Sequence, residues 1–127
     1  MKILLDTHVL VWWMDQSDRL SPRAVKLIEN PENQVLVSAV VGWELAIKVR
    51  LGKIKPPSLI RNLDRTMSRY AFEETPITMA EAVRAGLLPL HHHDPFDRLL
   101  AAQSLILGAP IVSADSLLEA YGVKRLW

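Results

Sequence analysis

Cysteine is missing from all 127 residues, which removes disulfides and thiolate metal sites together. No apolar stretch approaches the roughly 20 residues that a membrane-spanning helix requires, so no membrane partner is expected. Glycine is scarce, at five residues, and none of the five forms the clustered loop with which P-loop and dinucleotide folds cradle phosphate. The net charge of +1 argues for no partner by itself. Repeats, low-complexity tracts and dividing linkers are also lacking. The apolar run before Asp6 (Ile3-Leu4-Leu5) is too short for the core of a signal peptide. What remains is one domain over residues 1–127, expected to be soluble and cytoplasmic, with half its residues apolar to build a single core.

Short apolar runs alternate with helical patterns. Residues 3–5, 35–37 and 111–113 read as strands, with weaker ones near 72–77 and 123–126. Helices are expected over 8–14, from Ser21-Pro22 to about residue 29, and from Ser38 to Gly52, a plausible left-handed terminator. Pro56-Pro57-Ser58 is read as opening another, with Leu59, Ile60, Leu63, Met67 and Tyr70 on one face. Thr78 and Glu81 form a capping box for a short helix to Gly86. Asp94-Pro95 opens the most regular helix, closed by Gly108, and a helical turn follows at 116–120. Strands separated by helices make parallel βαβ units. The fold class is α/β, a three-layer sandwich.

Four acids stand at the boundaries of these elements: Asp6, Glu44, Asp97 and Asp115. Singly, each has a plain explanation. Asp6 and Asp115 can cap helical turns, Glu44 can pair with Lys48 one turn on, and Asp97 can meet a helix dipole. Together they ask for more. Glu44 is the lone acid of an apolar segment over 40–51, which should be buried, and a buried carboxylate needs a partner. Asp94 already caps the helix that carries Asp97. Asp6 and Asp115 follow apolar strands and would meet across a switch point if those strands were neighbours. Two like charges ~4 Å apart repel by about 4 kcal/mol at an effective dielectric near 20, and a hard divalent cation turns that repulsion into binding energy. Thr7 and Ser113 adjoin the acids, where their hydroxyls can orient carboxylates or metal-bound water, and capping and strand satisfaction explain them equally well.

The chain resembles a PIN domain, specifically a VapC-type toxin nuclease of a bacterial or archaeal toxin–antitoxin pair. The resemblance is carried by Leu4-Leu5-Asp6-Thr7-His8, by Val37-Ser38-Ala39 leading to Trp43-Glu44-Leu45-Ala46-Ile47-Lys48, by the run from His92 through Asp94-Pro95-Phe96-Asp97-Arg98 to Gln103, and by Val112-Ser113-Ala114-Asp115. These pieces span the chain in the family's order. The resemblance implies a sheet of order 3-2-1-4-5 and an acidic quartet of Asp6, Glu44, Asp97 and Asp115. That quartet would bind Mg²⁺ or Mn²⁺ and hydrolyse RNA phosphodiester bonds through a metal-activated water. Asp6 and Asp97 would be the direct ligands, with Asp115 acting through water. It also implies a small VapB-like antitoxin presenting a cation to the acidic cleft, and a toxin homodimer.

Other signals are open to two readings. Lys48, Arg50, Lys53, Lys55, Arg61, Arg65 and Arg69 share a segment whose lone acid is Asp64. Arg61, Arg65 and Arg69 recur at helical spacing, which suits RNA phosphates or a partner as well as a solvated face. His91-His92-His93 reads as a loop before a helix cap, with substrate contact the second reading. Trp12, Trp13 and Trp43 suit a core or interface, and Trp127 a dimer or partner surface. Haloacid-dehalogenase phosphatases need a second aspartate where His8 stands, and receiver modules need an acidic pair that Asp6-Thr7 lacks. A PIN-fold RNA-binding or scaffold protein without activity is the remaining alternative, against which the intact quartet argues.

Overall fold

The computed structural model describes residues 1–55 and 58–127. Five parallel strands form one sheet of order β3-β2-β1-β4-β5: β1 (Lys2–Leu5), β2 (Gln34–Ser38), β3 (Glu73–Thr75), β4 (Ile111–Val112) and β5 (Arg125–Leu126). β1 is central, with Ile3 opposite Val35 of β2 and Leu5 opposite Val112 of β4. Ile3, Leu4 and Leu5 are all fully buried, which fits a strand covered by helices on both faces. The chain runs outward from β1 through β2 to β3, then returns to β4 on the other side of β1. The strand order therefore reverses between β1 and β4, and crevices at such reversals are where open α/β sheets bind ligands.

Local chemistry explains the helices. Ser21 caps α2 (Pro22–Glu29) by accepting Ala24 N–H, with proline at the first position. Ser38 caps α3 (Ala39–Arg50) through Val40 N–H. Thr78 and Glu81 make the reciprocal capping box of α6 (Met79–Leu87). Asp94 caps α7 (Pro95–Leu107), and Gly108 ends it at φ 64°, where a side chain would be strained. α1 (Thr7–Met14) starts directly from Asp6 at the end of β1.

Two expectations need correction. The helix read through 58–70 is two, α4 (Ser58–Arg61) and α5 (Leu63–Arg69), because Asn62 sits at φ −91°, ψ −2° and breaks the regular turn; the expected start at Pro56-Pro57 lies outside the described residues. Arg61 thus leaves the helix that carries Arg65 and Arg69. Nor is α3 buried all round. Val40, Val41, Glu44 and Leu45 face inward, but Trp43 is 58% exposed and packs edge-on against Phe96 of α7. No helix among the described residues is long and apolar enough to cross a membrane.

Candidate metal centre

The β1/β4 junction gathers the acids. Asp6 leaves the end of β1 and caps α1, one carboxylate oxygen accepting Thr7 N–H at 2.7 Å. Its other oxygen accepts the Ser113 hydroxyl, also at 2.7 Å. Thr7 turns the opposite way with its side chain, donating Oγ1 to Glu44 Oε1 at 2.6 Å. Ser113, one residue past β4, also accepts the backbone N–H of Asp115 at 3.0 Å. His92 Nε2 then lies 2.7 Å from Asp115 Oδ2 and 3.0 Å from Asp97 Oδ2. One continuous series of hydrogen bonds therefore joins Glu44, Thr7, Asp6, Ser113, Asp115 and His92, and the His92 ring brings it within 3.0 Å of Asp97. Lys48 closes the series at the Glu44 end, paired one helical turn away.

Burial and repulsion set the electrostatics. The Asp97 carboxyl is pushed up to about 8, first by burial and then by the negative charges of Asp6, Asp94, Glu44 and Asp115. Asp6 is also raised: burial outweighs the opposing influence of His8 and of the hydrogen bonds from Ser113 and Thr7. For Lys48, burial pulls downward, but the bond to Glu44 and the nearby carboxylates hold the ammonium above its usual range. Burial first, and four neighbouring carboxylates after it, make negative charge on Asp97 costly, and a nearby positive charge would relieve that cost.

The donor set says which positive charge would meet it. Asp6, Glu44, Asp97 and Asp115 all line one open cleft of about 740 Å³. His92, Asp97 and Asp115 offer ligand atoms within 4.8 Å of one another. Carboxylate oxygens without any thiolate suit a hard divalent cation such as Mg²⁺ or Mn²⁺. The residues present fit such an ion.

The basic residues divide. Lys48, Lys53 and Lys55 line the acidic cleft, together with Arg19 from the loop after α1. Arg65 and Arg69 line a separate cavity of about 240 Å³ beside Tyr70 and Met14. Arg50 is exposed in the last turn of α3, and Arg61 is exposed at the end of α4. Trp127 packs 5.9 Å from Trp12 and 6.4 Å from His8, which stands 3.5 Å from Asp6 at the cleft wall.

Sequence reasoning missed His92 and His8 as members of the site. The His91–His93 segment is a loop, as its neighbours suggest, yet its middle side chain enters the acidic cluster while His91 packs on Tyr121. The available signal was position: a residue two places before the Asp94 cap lies at the mouth of the helix that carries Asp97.

This arrangement has relatives. A family model described as the PIN domain matches residues 3–124. The chain is 29% identical over 124 residues to Ribonuclease VapC22 of Mycobacterium tuberculosis, covering 97% of this chain and 94% of that protein. It superposes on a chain of the VapBC2 structure from Rickettsia felis, bound to a DNA fragment from its promoter, with a TM-score of 0.73 at 19% identity over 99% of this chain and 98% of that one. A chain of VapBC-1 from nontypeable Haemophilus influenzae gives a TM-score of 0.70 at 17% identity, over 99% and 97%. With the family model matched almost end to end and the sheet reversing where the acids gather, the chain belongs to the PIN domain family.

Proposed function

We propose that this protein is a divalent-metal-dependent endoribonuclease, the toxin of a type II toxin–antitoxin pair working in the cytoplasm. The observation that carries this reading is the hydrogen-bonded series linking Glu44, Asp6 and Asp115, with Asp97 beside it in the same cleft. Asp6 and Asp97 would hold the cation, with Glu44 and Asp115 completing the set. Bound there, a divalent cation supplies Lewis acidity, lowering the pKa of a water and offsetting charge on a phosphoryl oxygen. The protein's own residues do the rest. Thr7 and Ser113 are buried, and their hydroxyls hold Glu44 and Asp6, so neither is free to act as a nucleophile. Lys48 offsets the charge of Glu44. Lys53, Lys55 and Arg19 give the cleft a cationic rim for RNA phosphates. The relative that bears the name ribonuclease supports the substrate class.

The VapBC neighbours support a small VapB-like antitoxin as the partner. An inhibitor of a carboxylate site should present a cation, most simply arginine. The cavity between α1 and α5, bordered by Arg65 and Arg69, offers a groove for its helix. A toxin homodimer is supported by Met79, Val83 and Leu87, which follow one another at four-residue spacing along α6 and are 80%, 54% and 80% exposed.

The test is cleavage of RNA by the purified chain. Mg²⁺ or Mn²⁺ should support cleavage and excess chelator should abolish it; robust cleavage in chelator would sink the mechanism. Co-purification of an adjacently encoded small protein, together with toxicity of the chain expressed alone, checks the partner.

A further inference from the structure

His92 is held at four points. Its backbone N–H donates to the Tyr121 hydroxyl at 2.8 Å, and its carbonyl accepts from the Arg98 guanidinium at 3.1 Å. Its ring Nδ1 accepts the backbone N–H of Asp94 at 3.1 Å. Its Nε2 reaches both Asp115 and Asp97. The third contact decides the chemistry of the fourth. A ring nitrogen that accepts an N–H carries a lone pair, so the proton of the imidazole sits on Nε2. That nitrogen then has no lone pair for a metal.

We infer that His92 is a positioning residue: it donates Nε2–H to Asp115 and holds that carboxylate beside Asp97, 3.0 Å from the same nitrogen, for the cation, and it is not itself a ligand. The inference rests on the reading of the cleft as a cation site. Asp115 comes from the loop after β4 and Asp97 from the first turn of α7, and the imidazole bridges the two elements. The Asp94 N–H that fixes the ring belongs to the residue that caps α7, so the helix start aims the histidine and the histidine aims the acids. Outer partners of this kind change metal affinity by roughly 10–100-fold when removed.

The test needs no RNA. Nitrogen-15 spectra of the imidazole in the whole protein, without metal and with saturating Mg²⁺, should show Nε2 protonated and Nδ1 unprotonated in both. Loss of the Nε2 proton on adding Mg²⁺ would make His92 a ligand and overturn the inference. Calorimetric titration should find His92→Ala weakened toward Mg²⁺ and Mn²⁺ by similar factors of about 10 or more, with His92→Gln, which keeps an N–H donor, recovering part of the loss. Unchanged affinity in His92→Ala would contradict the role, as would a loss confined to Mn²⁺, the ion that accepts nitrogen ligands more readily. An original protein that binds neither ion would instead overturn the reading of the cleft itself.

Discussion

Asp97 concentrates the tension of the site. Its carboxyl moves from an ordinary 3.8 to about 8 because burial and four acidic neighbours disfavour its charge. A carboxylic acid whose pKa rises on folding binds its proton more tightly in the folded state, so the cation-free fold should lose stability as pH rises from about 4 to 8. Asp6 is shifted in the same direction and adds to the slope. Denaturation of the cation-free protein between pH 5 and 9 should show this decline, and Asp97→Asn should flatten part of it. A slope unchanged in the variant would count against the repulsion. Since a cation must displace the Asp97 proton, its affinity should climb by up to roughly tenfold per pH unit below 8 and level off above it. Calorimetry at pH 6, 7, 8 and 9 measures this directly; an affinity flat across that range would show that no proton is exchanged. In cleavage, Asp97→Asn should cost more than the roughly 10–100-fold that loss of an outer partner costs.

The helix starts do much of the positioning, and they separate two acids that look alike in sequence. Asp94 and Asp97 both open α7 and both line the cleft, but Asp94 accepts Phe96 N–H at 2.9 Å while the Asp97 carboxylate caps nothing and lies 3.0 Å from His92 Nε2. Asp94→Ala should destabilise the protein by about 1 kcal/mol, and Asp94→Asn, an equally good cap, by little. Equal losses in both variants, read from thermal melts, would show that the charge rather than the cap matters. This division was legible because a helix needs one cap and the run contained two acids. Gln103 is also part of the family-like run, yet it is fully buried and donates to Glu81 and to the Pro76 carbonyl, tying α6 to α7 away from the lining of the acidic cleft. A motif records packing as well as function. The break at Asn62 was not legible, since its neighbours keep helical spacing and only the backbone angle at that residue interrupts them. His92 was obscured for a related reason: among three adjacent histidines only its position two places before the Asp94 cap distinguishes it.

At the scale of the molecule, the reversal of strand order beside β1 brings residues 109 positions apart, Asp6 and Asp115, to the same edge of the sheet. Alternating strands and helices suggested parallel βαβ units, the resemblance to the PIN domain implied the order 3-2-1-4-5, and the sheet has that order. The sequence marked Ser113 as a hydroxyl able to orient a carboxylate, and the structure shows it bonded to Asp6 on one side and to the Asp115 backbone on the other. The fold thus gathers acids whose charges oppose one another in a partly buried cleft, as a proposed cation site requires. Melting curves of the original protein and of Asp97→Asn, each in chelator and in excess Mn²⁺, test this most directly. A ligand at a hundredfold excess over its Kd adds about 2.7 kcal/mol to the native state, a rise on the order of 10 °C for a chain of this size. The original protein should show that rise, and Asp97→Asn should show much less of it while melting no lower than the original in chelator. A protein whose melting temperature ignores Mn²⁺, paired with an Asp97→Asn variant that is destabilised, would mean that the four acids cap helices, meet a helix dipole or pair with a lysine and are not a metal centre.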